Sequence, residues 1–539
     1  MKLEKRRIGN KEVFPFTIPS GIITTEPSCL ERIARGIPEI GIITTKSIGP
    51  EPKPGNREPI LAQYAPHCWT NAVGLTNPGA EEFARRLNNV LIHSEKFLLI
   101  SIFGQNPEEF AQVAKTLEAH ADGFELNLSC PHAKGYGMEL GESGMVREIV
   151  SAVKKITKKP IFAKLTPNTK DIGEIAEAAM NAGAYGITAI NTVGPGLHMV
   201  DGHYVLTNKV GGISGKAITP IGIRCVKEIT DRLGKIPMIV CGGIYTARDV
   251  EAYEKVRASF FGIGTALAGM SELDLMKFFP AIVRDIRNNT NEAEKLIKLV
   301  DMEYKKFRVA ERIDLASNLH VLRMESNFDA SAGQFVFAWL PEKGEKPFSV
   351  MGTFPLSIGF LERGCFTREL AKLGRGDEIY FKGPYGKPVP VRQDSILVGG
   401  GCGIFGLNLI ARDISQYLQK VIILLGAKDK QHLPDLKEFE RYGEVHVATE
   451  DGSFGKKGMV TDLLSDLNLK RDSYFSNYFF NCGPAQMIEA VLPLERRVSP
   501  PENIWSSEDR MTRCGVGICG SCANENGLRT CVEGPFMNP

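Results

Sequence analysis

No apolar run in this chain approaches the roughly twenty residues a helix needs to cross a bilayer, so a spanning helix is not expected. An excess of charge is missing too. Lys and Arg number 65 against 63 Asp and Glu, the formal net charge is +2, and no long block of like charge occurs. Such a balance offers no electrostatic hold on a polyanion or a membrane surface, so neither nucleic acid nor membrane is expected as a partner. Residues 1–16 carry positive charge but lack an apolar core segment and a small-residue cleavage site, and are not expected to be a secretory signal. Low-complexity tracts are missing as well. Cysteine is not scarce, but 12 in 539 residues do not make a disulfide framework, and a reducing, cytoplasmic setting is the expectation.

A chain this long exceeds one hydrophobic core and should form three or four domains. Over residues 1–305, strand-like runs at 14–19, 41–46, 97–103, 123–128, 160–165, 186–191, 237–241 and 259–264 alternate with amphipathic stretches such as 106–120, 144–158, 171–182 and 247–257. Eight β-then-α units predict an α/β fold, a TIM (β/α)8 barrel, with active residues just past the strand ends. A charged stretch, 292–306, reads as helix. Alternating residues over 306–392, punctuated by Gly and Pro, predict a small antiparallel β-barrel. Residues 393–497 read as a nucleotide-binding α/β domain, and 498–539 as a separate cysteine-bearing segment.

That last segment holds Cys514, Cys519, Cys522 and Cys531. The spacing C-x4-C-x2-C followed by a fourth cysteine is the plant-type pattern for a 2Fe–2S cluster. A zinc knuckle is the rival, but zinc sites usually pair their ligands as two C-x2-C hooks or Cys/His sets. Gly515, Gly517 and Gly520 between the ligands would let the backbone wrap tightly. A protein that moves electrons singly is expected.

Within the barrel, Asn127-Leu128-Ser129-Cys130-Pro131-His132 ends the fourth strand and opens a glycine-rich loop. A thiol there, with its pKa lowered, can serve as a general base. Cys29, Cys68, Cys225, Cys241 and Cys365 read as small buried hydrophobes. Asn71, Asn127 and Asn191 follow separate strands, and converging amides suit a flat ring with alternating C=O and N–H groups. Any one Asn is more often a turn residue. Lys46 and Lys164 bring positive charge to strand ends. Gly242-Gly243 after strand seven and Gly264-Thr265 after strand eight match the phosphate site barrels build from those loops, which implies a mononucleotide.

Residues 1 to about 300 resemble the class 1 dihydroorotate dehydrogenases. The matching stretches are Thr45-Lys46-Ser47, 71–79, 127–132, 164–168, Asn191-Thr192, 211–215, 241–243 and 262–265. The resemblance implies FMN on Gly21, Lys46, Ser47, Asn127, Lys164, Ile190, Gly215, Gly242, Gly243, Gly264 and Thr265. It implies dihydroorotate or orotate on Lys46, Asn71, Gly74, Leu75, Asn127, Asn191 and Thr192, with Cys130 as catalytic base and a barrel-to-barrel homodimer. Lys216 stands where many relatives have Pro, a departure confined to loop geometry.

The C-terminal 230 or so residues resemble the electron-transfer subunit of the NAD-dependent class 1B enzymes, here fused behind the barrel. That resemblance implies a ferredoxin reductase-like module. FAD would lie on Lys346-Pro347-Phe348-Ser349 and Gly364 with Thr367, Lys346 replacing the usual Arg; a second alignment centres on 354–357. NAD would lie on Gly400, Gly401, Gly403, Cys482 and Gly483, with NADP left open. The implied activity is oxidation of dihydroorotate in pyrimidine synthesis, electrons passing from FMN through the 2Fe–2S cluster and FAD to NAD+. Two alternatives stand beside it: a dihydropyrimidine dehydrogenase-like reductase of uracil or thymine, and an electron-transfer module with another acceptor.

Overall fold

The structure, a computed structural model, describes residues 3–128, 142–390, 392, 394–417, 421–467, 469 and 477–539. It divides into two units: Met1–Val300 with Val516–Arg529, and Asp301–Gly515 with Thr530–Pro539.

In the first unit eight parallel strands close into a barrel in which each pairs with its sequence neighbours: β1 (Phe16–Ile18), β2 (Ile40–Thr44), β3 (Phe97–Ile102), β4 (Gly123–Asn127), β5 (Ile161–Leu165), β6 (Gly186–Ala189), β7 (Met238–Cys241) and β8 (Phe260–Gly262). The expected strands are therefore all present. They are buried on both faces, which is why β2 and β3 read as almost unbroken apolar runs rather than alternating ones. A helix follows each strand: α1 (Pro27–Gly36), α2 (Ala80–Leu87), α3 (Pro107–Leu117), α4 (Ser143–Ile156), α5 (Ile172–Asn181), α6 (Thr219–Leu233), α7 (Ala247–Lys255) and α8 (Glu272–Asn288). On α4 the buried residues are Val146, Ile149, Val150 and Val153, a single stripe at helical spacing. Local chemistry fixes where helices start. The Asn106 carboxamide accepts from the Glu109 amide ahead of Pro107, and the Asp171 carboxylate accepts from the Glu174 amide.

The helix expected over 292–306 is not there. The chain leaves α8 at Asn289, in the left-handed region at φ 55. The Asp285 carboxylate then accepts from the amides of Glu292 and Ala293, at 2.9 and 2.7 Å, and holds the chain in a turn. Only a 3-10 turn, Glu294–Leu296, follows before the chain becomes a strand at Lys305.

Two inserts sit at the carboxyl ends of the barrel strands, after β2 and after β6. Together they form a four-stranded antiparallel sheet in the order Val193–Leu197, Val210–Gly215, Cys68–Asn71, Leu61–Ala65. At the opposite end a hairpin, Arg6–Ile8 with Lys11–Val13, packs Ile8 and Val13 against Phe97, Phe162, Ile239 and Phe260.

The second unit holds two sheets. The first has seven antiparallel strands in the order Gly344–Ser349, Phe335–Leu340, Glu378–Tyr385, Lys305–Ala316, Leu319–Met324, Leu356–Leu361, Gly352–Thr353. The element expected as a barrel is thus an open sheet, although its edge strands are consecutive in the chain across Val350 and Met351. Such a sheet curls because one chain segment links its edges directly.

The second sheet runs Lys456–Lys457, Glu444–Thr449, Ile422–Ala427, Ser395–Gly400, Tyr478–Gly483, Ile504–Glu508, Phe536–Met537, parallel except for the last pair. Its chain order reverses between Ser395–Gly400 and Tyr478–Gly483, the position where doubly wound sheets open a crevice. Residues 498–539 are shared out: two of these strands belong to the second unit, while Val516–Arg529 groups with the barrel. No helix among the described residues is long and apolar enough to cross a membrane.

Candidate active site

Strand ends place the first site. At the carboxyl end of the barrel lies a cavity of ≈ 210 Å³, and every FMN- and substrate-binding candidate named above lines it. Cys130 and the loop after it lie outside the described residues. The register aligns Asn127 with Lys164 on neighbouring strands, so both point to the same space. Asn71 comes from the overlying sheet, where it pairs with Gly212 and donates to that residue's carbonyl at 3.3 Å.

A continuous polar chain lies behind the cavity wall. The Lys164 ammonium donates to the Glu125 carboxylate at 3.2 Å, in a pair with side chains 7% and 2% exposed. Ser101 donates to the same Glu125 oxygen at 3.0 Å, and its hydroxyl lies 2.9 Å from that of Ser47. Asn127 donates to Ser47 at 3.0 Å and accepts from the Asn191 amide at 3.2 Å. The Asn191 oxygen in turn accepts from the Thr192 amide at 2.9 Å. Each amide is thereby fixed in one orientation, because donor and acceptor ends have different partners. Lys46, also buried, sits across from Gly21.

Glycines shape the far end of the cavity. Gly215, at φ +96, lies so close to the His67 carbonyl that any side chain would collide. Gly243, at φ +73, is held by Thr219, whose hydroxyl donates to its carbonyl at 3.0 Å. Tyr253 donates to the Gly242 carbonyl at 2.7 Å, and Tyr245 donates to Thr265 at 3.0 Å. Burial pushes both phenols up, Tyr245 to about 12, which keeps them protonated donors. Lys216 bonds both Asp249 oxygens at 2.7 Å and so ties the turn before α6 to the start of α7.

Two residues at this site stand apart from the sequence reading. Glu125 was not singled out, though it lies two positions before Asn127 in an extended strand and therefore on the same face. Cys241 lines the cavity, and burial, opposed by Lys164 and reinforced by Glu125, pushes its thiol up to about 12. Cys29 and Cys225 are buried as expected, but Cys68 is half-buried and Cys365 exposed. The latter two sit at a sheet end and a helix start rather than in a core.

The tail supplies the remaining wall: Ile518 and Cys519 line the cavity. The Ile23 amide donates to the Ile518 carbonyl at 2.6 Å, and the Thr25 hydroxyl to the Cys519 carbonyl at 2.6 Å. Cys514, Cys519, Cys522 and Cys531 are all buried and free of disulfides. Cys519 and Cys522 fall in the barrel unit, Cys514 and Cys531 in the other. Among the described residues no group of three or more His, Cys, Asp or Glu side chains is placed to hold a metal ion. The four thiols are the right kind of donor for a 2Fe–2S cluster.

A second cavity, of ≈ 550 Å³, opens in the second unit. Pro347, Phe348 and Ser349 line it, with Gly403, Cys482 and Gly483 from the crevice of the parallel sheet. Lys346, Gly364, Thr367, Gly400 and Gly401 do not. Lys346 is exposed, and Thr367 accepts from the amides of Arg363 and Gly364 to cap its own helix. The cations in this wall are Arg363 and Arg510. Phe354, at the centre of the alternative alignment, is 70% exposed and outside it. The cavity suits a ligand with an apolar ring and anionic groups, which is the chemistry of a flavin dinucleotide or a nicotinamide nucleotide.

Comparison with known proteins bears on the barrel. The family profile described as dihydroorotate dehydrogenase matches residues 2–288. The catalytic subunit of dihydroorotate dehydrogenase B (NAD(+)) from Pyrococcus abyssi is 44% identical over 270 residues, covering 49% of this chain and 87% of its own. Its counterpart from Methanocaldococcus jannaschii is 42% identical over 258 residues, covering 47% and 83%. A solved structure of an NADH-dependent reduced ferredoxin-NADP oxidoreductase is 30% identical, covers 43% of this chain and 87% of its own, and superposes with a TM-score of 0.39.

Proposed function

Since the chain belongs to the dihydroorotate dehydrogenase family, we propose that it oxidises dihydroorotate to orotate at the barrel cavity and delivers the electrons to NAD+ through its second unit. The observation that carries the reading is the fixed run from Lys164 through Glu125, Ser101, Ser47 and Asn127 to Asn191, which presents oriented amides to the same cavity as Lys46.

The residues present fit FMN. Gly243, where a Cβ would clash with Thr219, leaves room after β7 for a phosphate, with Gly264 lining the same space after β8, and two buried lysines balance an anionic ring. When bound, FMN supplies the hydride acceptor for C6 of the substrate. Asn71, Asn127 and Asn191 hold the pyrimidine edge by donor and acceptor pairing, and Lys46 offsets the substrate's negative charge. The Cys130 thiolate takes the C5 proton, so a double bond forms between C5 and C6. Ile518 and Cys519 keep water from the open side.

In the second unit, Pro347–Ser349 and Arg363 would hold FAD, and Gly403, Cys482 and Gly483 the nicotinamide nucleotide. Cys514, Cys519, Cys522 and Cys531 would ligate the 2Fe–2S cluster, a reading supported by their spacing. Together these groups would supply one-electron relay and final hydride delivery.

Anaerobic addition of dihydroorotate, then NAD+, then NADP+, with flavin and cluster absorbance recorded, tests the reading. Bleaching by dihydroorotate and recovery on NAD+ is expected. No bleaching refutes the substrate. Bleaching without recovery on either nucleotide refutes the acceptor. Bleaching by dihydrouracil instead identifies the dihydropyrimidine alternative.

A further inference from the structure

The tail segment Val516–Arg529 is bound to the barrel at several points besides its two cavity-lining residues. The Gly269 amide, just after β8, donates to the Val516 carbonyl at 2.8 Å. Ser28 donates to the Asn524 carbonyl at 3.1 Å, and Arg32 to that of Asn526 at 3.1 Å. Gly520 and Gly527 approach the carbonyls of Ile23 and Ser28 so closely that a Cβ at either would collide. At the centre is Arg529, 2% exposed. One guanidinium nitrogen donates to the Gly517 carbonyl at 3.0 Å, inside the loop two residues before Cys519; the other donates to the Met270 carbonyl at 2.8 Å, on the barrel. A buried guanidinium that bridges two segments this way favours one arrangement, because losing either carbonyl removes a charge-assisted hydrogen bond in a place water barely reaches.

We propose that Arg529 is a positioning residue for the flavin cavity: by clamping the loop that carries Ile518 and Cys519 onto the segment between β8 and α8, it makes retention of the mononucleotide depend on the docked tail. The proposal rests on the reading that the cavity holds FMN. It assigns the tail a second task, separate from any metal ligation. The segment is a structural wall of the barrel's own binding site, and the barrel residues alone leave that wall open.

The test uses the full chain with Arg529→Met, Arg529→Lys and, as an independent loosening of the same loop, Thr25→Val, which removes the bond to the Cys519 carbonyl. Hydrogen exchange at the Ile23 and Gly269 amides reports docking, since both donate to tail carbonyls. The Ile187 amide, which donates to Pro237 inside the barrel, reports global integrity. FMN release into apoflavodoxin gives the cofactor rate. In Arg529→Met the exchange at Ile23 and Gly269 and the release of FMN should each rise about tenfold or more, the equivalent of about 1.4 kcal/mol, with Ile187 unchanged. Arg529→Lys, which can reach one carbonyl, should fall between.

Exchange that rises equally at Ile187 would make Arg529 a general folding residue and overturn the proposal. So would local exchange without faster release, or no change in either. Should Arg529→Met not fold, Arg529→Lys and Thr25→Val decide by the same criteria. A chain that binds no flavin would defeat the functional reading instead, and the exchange arm would still decide the clamp.

Discussion

Replacing Glu125 by leucine takes the counter-ion from Lys164 at a place water barely reaches, since the two side chains are 2% and 7% exposed. Breaking a buried pair by removing one partner costs about 3–5 kcal/mol, because the survivor's charge is left uncompensated. Ser101 also loses its acceptor, which adds about 1 kcal/mol. Glu125→Gln keeps an oxygen for Ser101 and should therefore cost about 1 kcal/mol less than Glu125→Leu. In the double variant Glu125→Leu, Lys164→Met, no charge remains to be stranded, so most of the loss should be recovered. The assay is urea unfolding of flavin-stripped protein, read on the barrel transition. Stripping matters because FMN binds only the folded barrel and would add its own stabilisation unequally across variants. A double variant no more stable than Glu125→Leu alone would refute the idea that the pair's electrostatics, rather than packing, holds this part of the barrel.

Cys130→Ser should keep FMN content unchanged while slowing anaerobic flavin reduction by dihydroorotate, and the residual rate should lose the rise with pH that a thiolate base imposes. Arg363→Ala should lower FAD retention about tenfold or more, as expected for loss of a charge-assisted contact, with FMN content unaffected; equal loss of both flavins would show a folding defect instead. Glu495 is fully buried, with Asn481 donating to it at 2.8 Å, and burial pushes its carboxyl up to about 7. Its folded pKa is raised, so its stabilising contribution is complete below about 4.5 and is lost as pH rises through about 7. Glu495→Gln should then be more stable than the parent at pH 8 by up to about 3 kcal/mol and lose that advantage towards pH 4. Urea midpoints of the second unit across that range check this.

The barrel was legible because its chemistry is local. Each strand is a short apolar run followed at once by the residue it presents, as Ala163 leads to Lys164 and Leu126 to Asn127. Glu125 was equally visible by strand alternation, but a carboxylate in an apolar strand gives no hint of its partner until the register brings Lys164 alongside. Arg363 lost to Lys346 because likeness of motif favours a cation beside Pro-Phe-Ser, whereas the sheet leaves Lys346 exposed and sets the next three residues in the wall. Cysteine spacing spoke only of a metal. That the same loop offers its carbonyls to Ile23 and Thr25 could not be read, since Thr25 and Cys519 are 494 positions apart and share no pattern. Residues 292–306 were misjudged for a related reason: the turn that Asn289 and the Asp285 carboxylate impose on the chain depends on contacts the charge pattern of the stretch does not announce.

The crossing of the tail back into the barrel unit sets a condition on how such a molecule could be divided. A cut near residue 300 would not separate two self-sufficient pieces, because one fragment would keep the stretch that the other lacks. A two-chain version would have to recover that stretch by association, against a loss of translational and rotational freedom of about 4–15 kcal/mol. Within one chain the same stretch is tethered at both ends and arrives at a high effective concentration. A single chain spares the first unit from having to recruit a piece of itself.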